Sequence, residues 1–212
     1  MSDTETLSPE KRAQILTGAN TVFSEDGYEG ASMARIAQVA GVSKGTLYNY
    51  FAGKAELFAA HIEGQCALTL GQVFAEDGAN ADDPAGFLRT IGTRMLEMMV
   101  SDKGLTTYRI VTSEAPKFPE LSQGFYNAGP ARAITALAGW LARQHQSGRL
   151  SVPDPIFAAE QFFSLCQARL CLRRVLHVDR TSSPEEIAHV VDAAVAMFLA
   201  GCAPNAPQGD AR

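Results

Sequence analysis

The sequence predicts an all-α protein of about nine helices: an N-terminal three-helix domain containing a helix-turn-helix, then a longer helical C-terminal domain. Three observations predict it. Apolar residues recur at helical spacing along most of the chain, and no segment alternates as a strand would. Serine, proline and glycine stand where these stripes begin and end. Finally, 212 residues with 46% hydrophobic and 19% charged side chains suit a folded globular chain with a sizeable core.

The first helix opens at Ser8-Pro9-Glu10, where Ser8 caps, Pro9 suits the first helical position and Glu10 complements the helix dipole. Its stripe is Ile15, Ala19, Val22 and Phe23, and Asp26-Gly27 supplies the stop. Ser32 caps a second helix, Met33 to Ala40, which Gly41 breaks by taking a positive φ. Ser43 caps a third, Lys44 to Tyr50. Lys54 begins a fourth, with Leu57, Phe58 and Ile62 turned inward.

Farther on, Gly78 to Pro84 reads as a polar loop, and 85–100 as a helix carrying Phe87, Leu88, Ile91, Met95, Met98 and Met99. A short helix follows from Leu105 to Glu114. After Pro116 and Pro119 a helix runs from Glu120 to Gln146, kinked at Gly129-Pro130. The last two helices, near 156–177 and 184–201, are the most apolar. The expected domains are 8–54 and 55–202, with a disordered tail over 203–212.

Function is read from the second and third helices. A DNA-reading helix-turn-helix needs a small residue where its helices touch, a glycine at the turn and apolar anchors on both. Ala37, Gly41 and the set Ile36, Ala40, Val42, Leu47 and Tyr50 meet those demands. The stretch Gly30–Ala55 carries Arg35, Lys44 and Lys54 and no carboxylate. At the chain's average of 23 acidic residues in 212, it would hold about three. Carboxylates are thus missing where a phosphate backbone would approach, although net charge is −5 overall.

The run Ser32-Met33-Ala34-Arg35-Ile36-Ala37-Gln38-Val39-Ala40-Gly41-Val42-Ser43-Lys44-Gly45-Thr46-Leu47-Tyr48-Asn49-Tyr50-Phe51, with Lys54 and Leu57-Phe58, resembles the tetracycline-repressor (TetR) family signature. Glu114 to Pro130, with Phe118-Pro119-Glu120-Leu121 and Phe125-Tyr126-Asn127-Ala128-Gly129-Pro130, is similar to the C-terminal domain of an AefR-like subgroup of multidrug-efflux and quorum-linked regulators. The resemblance implies a homodimeric repressor, released from a palindromic double-stranded DNA operator by a small lipophilic or aromatic effector. An activator of the same fold, and a helix-turn-helix interaction protein without specific DNA binding, are the alternatives.

Laid onto these residues, the resemblance implies that Ser32 and Ser43 offer hydroxyls and helix N-terminal amides to phosphates. Lys44 would reach a guanine edge or a phosphate, and Gly45 would let the backbone approach closely. Thr46 would touch a thymine methyl, Tyr48 would bond a phosphate, and Lys54 and Arg35 would neutralise phosphates. Tyr48 could instead pack on the first helix, and Arg35 could be a solvated surface charge. Tyr50 and Phe51 read as core. Tyr50 stands where many relatives have His, and Ala52-Gly53 replaces the stronger Ser or Asp caps often found there.

For the second domain, Phe87, Met95, Met98, Met99, Tyr108, Phe125, Trp140 and Phe162 are expected to line an apolar effector pocket, or else to be plain core. Arg109, Arg132 and Arg143 could pair an anionic ligand or simply be exposed. Pairing two recognition helices roughly 34–36 Å apart requires a dimer. The resemblance implies that the last two helices form it, through Phe163, Leu170, Val191, Val195 and Phe198.

An enzyme is not expected: His61, His145, His177 and His189 are scattered, and no HExxH, GxSxG or phosphate-loop motif is present. No cofactor and no metal are expected either, because Cys66, Cys166, Cys171 and Cys202 lack zinc spacing and read as small helix residues. The polar, acidic start and the lack of an apolar run of roughly 18 residues predict a cytoplasmic chain without a membrane partner.

Overall fold

Capping residues and glycine breaks cut the chain into eleven α-helices among the described residues, 8–77 and 83–204 of this computed structural model. They are α1 (Pro9–Gly30), α2 (Met33–Val39), α3 (Lys44–Tyr50), α4 (Lys54–Asp77), α5 (Pro84–Val100), α6 (Asp102–Glu114), α7 (Pro119–Ala128), α8 (Pro130–Gln146), α9 (Pro155–Gln167), α10 (Leu170–Val175) and α11 (Pro184–Gly201). Most of the expected loop at 78–84 and of the expected tail at 203–212 lies outside the described residues.

Two helices more than expected arise from two breaks. Gly129-Pro130, expected to kink one helix, ends α7 and starts α8: Pro130 has no N–H to continue the ladder. The stretch expected near 156–177 divides after Gln167 into α9 and α10. No proline or glycine announces that break. At the other end, α1 runs past the expected stop for one more turn, with Gly27 at φ +69° marking the kink.

Among the described residues, those up to Cys66, with Thr106–Pro130, form one compact unit; those of Ala67–Leu105, with those from Ala131 on, form another. The expectation placed a boundary after residue 54. The first unit instead gathers the start of α4, most of α6 and all of α7 with the helix-turn-helix. Its core shows why, since Ile15, Val22, Phe23, Ile36 and Leu47 share one cluster with Leu57, Phe58, Val111 and Leu121.

Inside this unit Gly18 lets α1 meet the residue that ends α2. A Cβ there would stand 2.7 Å from the Ala40 Cβ and 2.8 Å from its Cα and N. The Gln14 side-chain amide donates to the Ala40 carbonyl at 2.6 Å, closing the turn that Gly41 makes at φ +66°.

The second unit packs α5, α8, α9 and α11 around Leu88, Ile91, Leu137, Leu141, Phe162 and Val191. Phe87 stacks on Trp140 with ring centroids 4.3 Å apart. The buried guanidinium of Arg174 donates to the Val100 carbonyl at 3.1 Å and to the Arg180 carbonyl, and pairs with Asp102 at 3.1 Å. It therefore ties the end of α5 to the loop after α10. Cys66, Cys166 and Cys202 are buried and Cys171 is half-buried, as the sequence suggested. No helix among the described residues is long and apolar enough to cross a membrane.

Candidate nucleic-acid interface

The helix-turn-helix is built from its two serine caps. The Ser32 Oγ accepts from the Arg35 N–H at 3.2 Å, and the Ser43 Oγ accepts from the Thr46 N–H at 3.0 Å. One turn on, Leu47 is fully buried and anchors α3, while Phe51 is buried at its end. The hydroxyl of Tyr50 accepts the Ser8 N–H at 2.7 Å, so that ring pins the start of α1.

With those anchors inward, the opposite face of α3 is exposed: Ser43, Lys44, Gly45, Tyr48 and Asn49. Tyr48 is 53% exposed, which decides against its packing on α1. A Cβ on Gly45 would meet only the Ser43 Oγ, at 3.8 Å. Space within the protein therefore does not require a glycine here, so any requirement comes from something approaching from outside. Thr46 is half-buried and its Oγ1 lies 2.8 Å from the Ser43 Oγ, which turns it toward the cap. Asn49 was missed by the sequence reading, although its spacing from Gly45 places it on the same face.

Two expected phosphate contacts are engaged elsewhere. The guanidinium of Arg35 pairs with Asp26 at 2.5 Å and Glu25 at 3.0 Å, on α1. The ammonium of Lys54 donates to the carbonyls of Tyr28 at 2.5 Å and Ala31 at 3.0 Å, and lies 4.4 Å from the Tyr28 ring centroid. Burial holds this ammonium below the usual lysine range, against the pull of Glu114 and Glu29. Neither side chain is the unoccupied cation that the sequence suggested. The reason is tertiary: each has partners brought in by the end of α1.

The residues expected at the effector pocket are placed as follows. Phe87, Met95, Trp140 and Phe162 belong to the core cluster of the second unit, and Met99 packs against it. Met98 is exposed. In the first unit Tyr108 is exposed, and Phe125 packs against that unit's cluster. A further depression of about 430 Å³ in the first unit is lined by Asp26, Gly27, Tyr28, Glu29, Thr106, Arg109, Ile110, Ser113 and Glu114.

The expected dimerisation residues need correction. Phe163, Leu170, Val191, Val195 and Phe198 are all at most 6% exposed within a single chain, so they close its own core. The large apolar residues that the same helices turn outward are Ile156, Phe157, Leu172 and Met197, together with Leu176 just after α10.

Comparison with known proteins gives two family matches. Residues 15–61 match the profile of bacterial regulatory proteins of the tetR family, and residues 86–203 match the AefR-like transcriptional repressor C-terminal domain. The chain is 38% identical over 68 residues to the transcriptional repressor AcnR of Corynebacterium diphtheriae, covering 32% of this chain and 35% of that protein. It thus spans about a third of that relative's length. Among solved structures, one described as a TetR-family transcriptional regulator from Mesorhizobium loti superposes with a TM-score of 0.80 at 25% identity, over 94% of this chain and all of that one. The Flavonoid-responsive Regulator FrrA superposes at 0.74 with 31% identity, over 94% of this chain and all of that one.

Proposed function

Since the chain belongs to the TetR family and carries an AefR-like C-terminal domain, we propose that it is a homodimeric DNA-binding repressor released from its operator by a small aromatic or lipophilic ligand. The observation that carries the reading is the α3 face. Ser43, Lys44, Gly45, Tyr48 and Asn49 stand exposed on a capped helix anchored by Leu47, within a carboxylate-free stretch. Such a helix fits a major groove, with Lys44 and Asn49 able to reach base edges and the α3 N-terminal amides a phosphate.

A second copy supplies the second recognition helix. Phe157, Leu172, Leu176 and Met197, each more than half exposed, support pairing through the outward faces of α9, α10 and α11. Phe87, Trp140 and Met95, in one apolar cluster against which Met99 packs, are the side chains that would meet an aromatic ligand in this unit. FrrA, by its name, responds to flavonoids, which supports the same class of effector here. A ligand that prefers the dimer with its reading heads displaced lowers operator affinity by its differential binding energy, typically about 1–3 kcal/mol.

The test is a salt-titrated binding assay with DNA flanking the protein's own gene, repeated with flavonoids and long-chain acyl compounds. Sequence-preferring binding with a steep salt dependence, weakened by one of those compounds, supports the reading. Equal affinity for every duplex, or none at low salt, overturns it.

A further inference from the structure

Helix α6 and the end of α1 stand on two sides of an open depression of about 430 Å³, inside one compact unit. From α6 it takes Thr106, Arg109, Ile110, Ser113 and Glu114, which recur at helical spacing and so share one face. From α1 it takes the residues around Gly27, where the chain leaves helical geometry at φ +69° and ψ 179°. A Cβ on Gly27 would meet nothing within 4 Å. A concave site of this volume suits a small molecule.

The charges that line it are unequal. Asp26, Glu29 and Glu114 stand against the guanidinium of Arg109. Asp26 is held by Arg35 at 2.5 Å, and Glu29 by Lys117 at 3.0 Å. Glu114 differs, because its Oε2 is buried and accepts no hydrogen bond. A buried carboxylate oxygen left without a donor is costly, and folded proteins rarely keep one. The ammonium of Lys54 feels this carboxylate but is turned to the carbonyls of Tyr28 and Ala31.

Two neighbouring groups register the same negative field. Burial first, and then the charges of Glu120 and Glu114, push the Tyr28 phenol up to about 12. Glu29 first, and Glu114 after it, raise the Lys117 ammonium above the usual lysine range. Negative charge in a concave site concentrates cations.

We propose that this depression binds a small organic cation, a primary amine with a short aliphatic body. Its ammonium donates to Glu114 while its methylenes lie along Ile110, and the remaining excess of carboxylates favours a diamine over a monoamine. The depression belongs to the first unit and the aromatic cluster offered to the effector belongs to the second. The proposal therefore goes beyond the repressor reading and does not rest on it.

The probe is cadaverine, the straight-chain pentane diamine, titrated into the full-length protein and followed by backbone amide chemical shifts. Pentylamine, pentanol and pentanoate are the matched controls. Saturable shifts over 26–29 and 106–114, at lower concentration for the diamine than for the monoamine and absent for the alcohol and the carboxylate, are the expected result. Glu114→Gln should weaken cadaverine roughly tenfold or more, because a charge-assisted hydrogen bond becomes a neutral one. Ser113→Arg, at an exposed position, puts a tethered guanidinium into the depression and should abolish binding with the melting curve unchanged. No saturable shift, shifts confined to other residues, or equal shifts with pentanol overturn the proposal. So does cadaverine affinity that is unchanged in either variant. Should Glu114→Gln fail to fold, Ser113→Arg decides alone by the same readout.

Discussion

At the scale of single residues, glycines separate a demand made by the fold from one made by a partner. Gly18 has backbone and side chain of Ala40 where its Cβ would be. Gly18→Ala should cost about 1–3 kcal/mol in denaturant unfolding, because two helices would have to move apart. A Cβ on Gly45 would make only an ordinary contact with the Ser43 Oγ, at 3.8 Å. Gly45→Ala should stabilise the free protein by up to about 1 kcal/mol through helix propensity, yet weaken DNA binding by obstructing the approach. Unchanged DNA affinity in that variant would remove Gly45 from the interface. The two tyrosines divide similarly. Tyr50→Phe loses the bond from the Ser8 N–H and should cost about 1 kcal/mol of stability. Tyr48→Phe, altering an exposed hydroxyl, should leave stability alone and affect only binding.

At the scale of elements, α9 and α10 make a pH-dependent contribution. Burial pushes the Cys166 thiol up to about 12 and that of Cys171 to about 11. Both folded values lie above the ordinary thiol range, so the unfolded chain gives up these protons first as pH rises. Their contribution is fully present below about pH 9, where an unfolded cysteine titrates, and is lost progressively toward pH 12. Urea unfolding between pH 8 and 11 should therefore show stability declining above pH 9. Cys166→Ala should flatten part of that decline, and a parallel decline in both proteins would assign it elsewhere. For the same reason these thiols should react slowly with thiol reagents at neutral pH.

For the whole molecule, the issue is which apolar residues belong to the fold and which to the proposed pairing with a second copy. Val191 is fully buried, and Val191→Asp should unfold the chain by leaving a charge without a partner in its core. Leu172 and Met197 are 62% and 65% exposed, so Leu172→Glu with Met197→Glu should leave the melting curve of the protomer intact. Light scattering should then find monomers in place of dimers, with DNA affinity lost in step. Dimers persisting in the double variant would place the interface on another face.

The helical class, the serine caps and the helix-turn-helix with its glycine turn were determined by the sequence itself, because each is written within a few neighbouring residues. Ser32, Ser43, Gly41 and Leu47 do in space what their spacing announced. Only the tertiary structure decided the partners of Lys54 and Arg35, the break between α9 and α10, and the inward turn of Phe163, Val191 and Phe198. A charge's partner and an apolar stripe's destination depend on which helices crowd round it. Tyr28, 26 positions before Lys54, reaches it through packing and not through any local pattern.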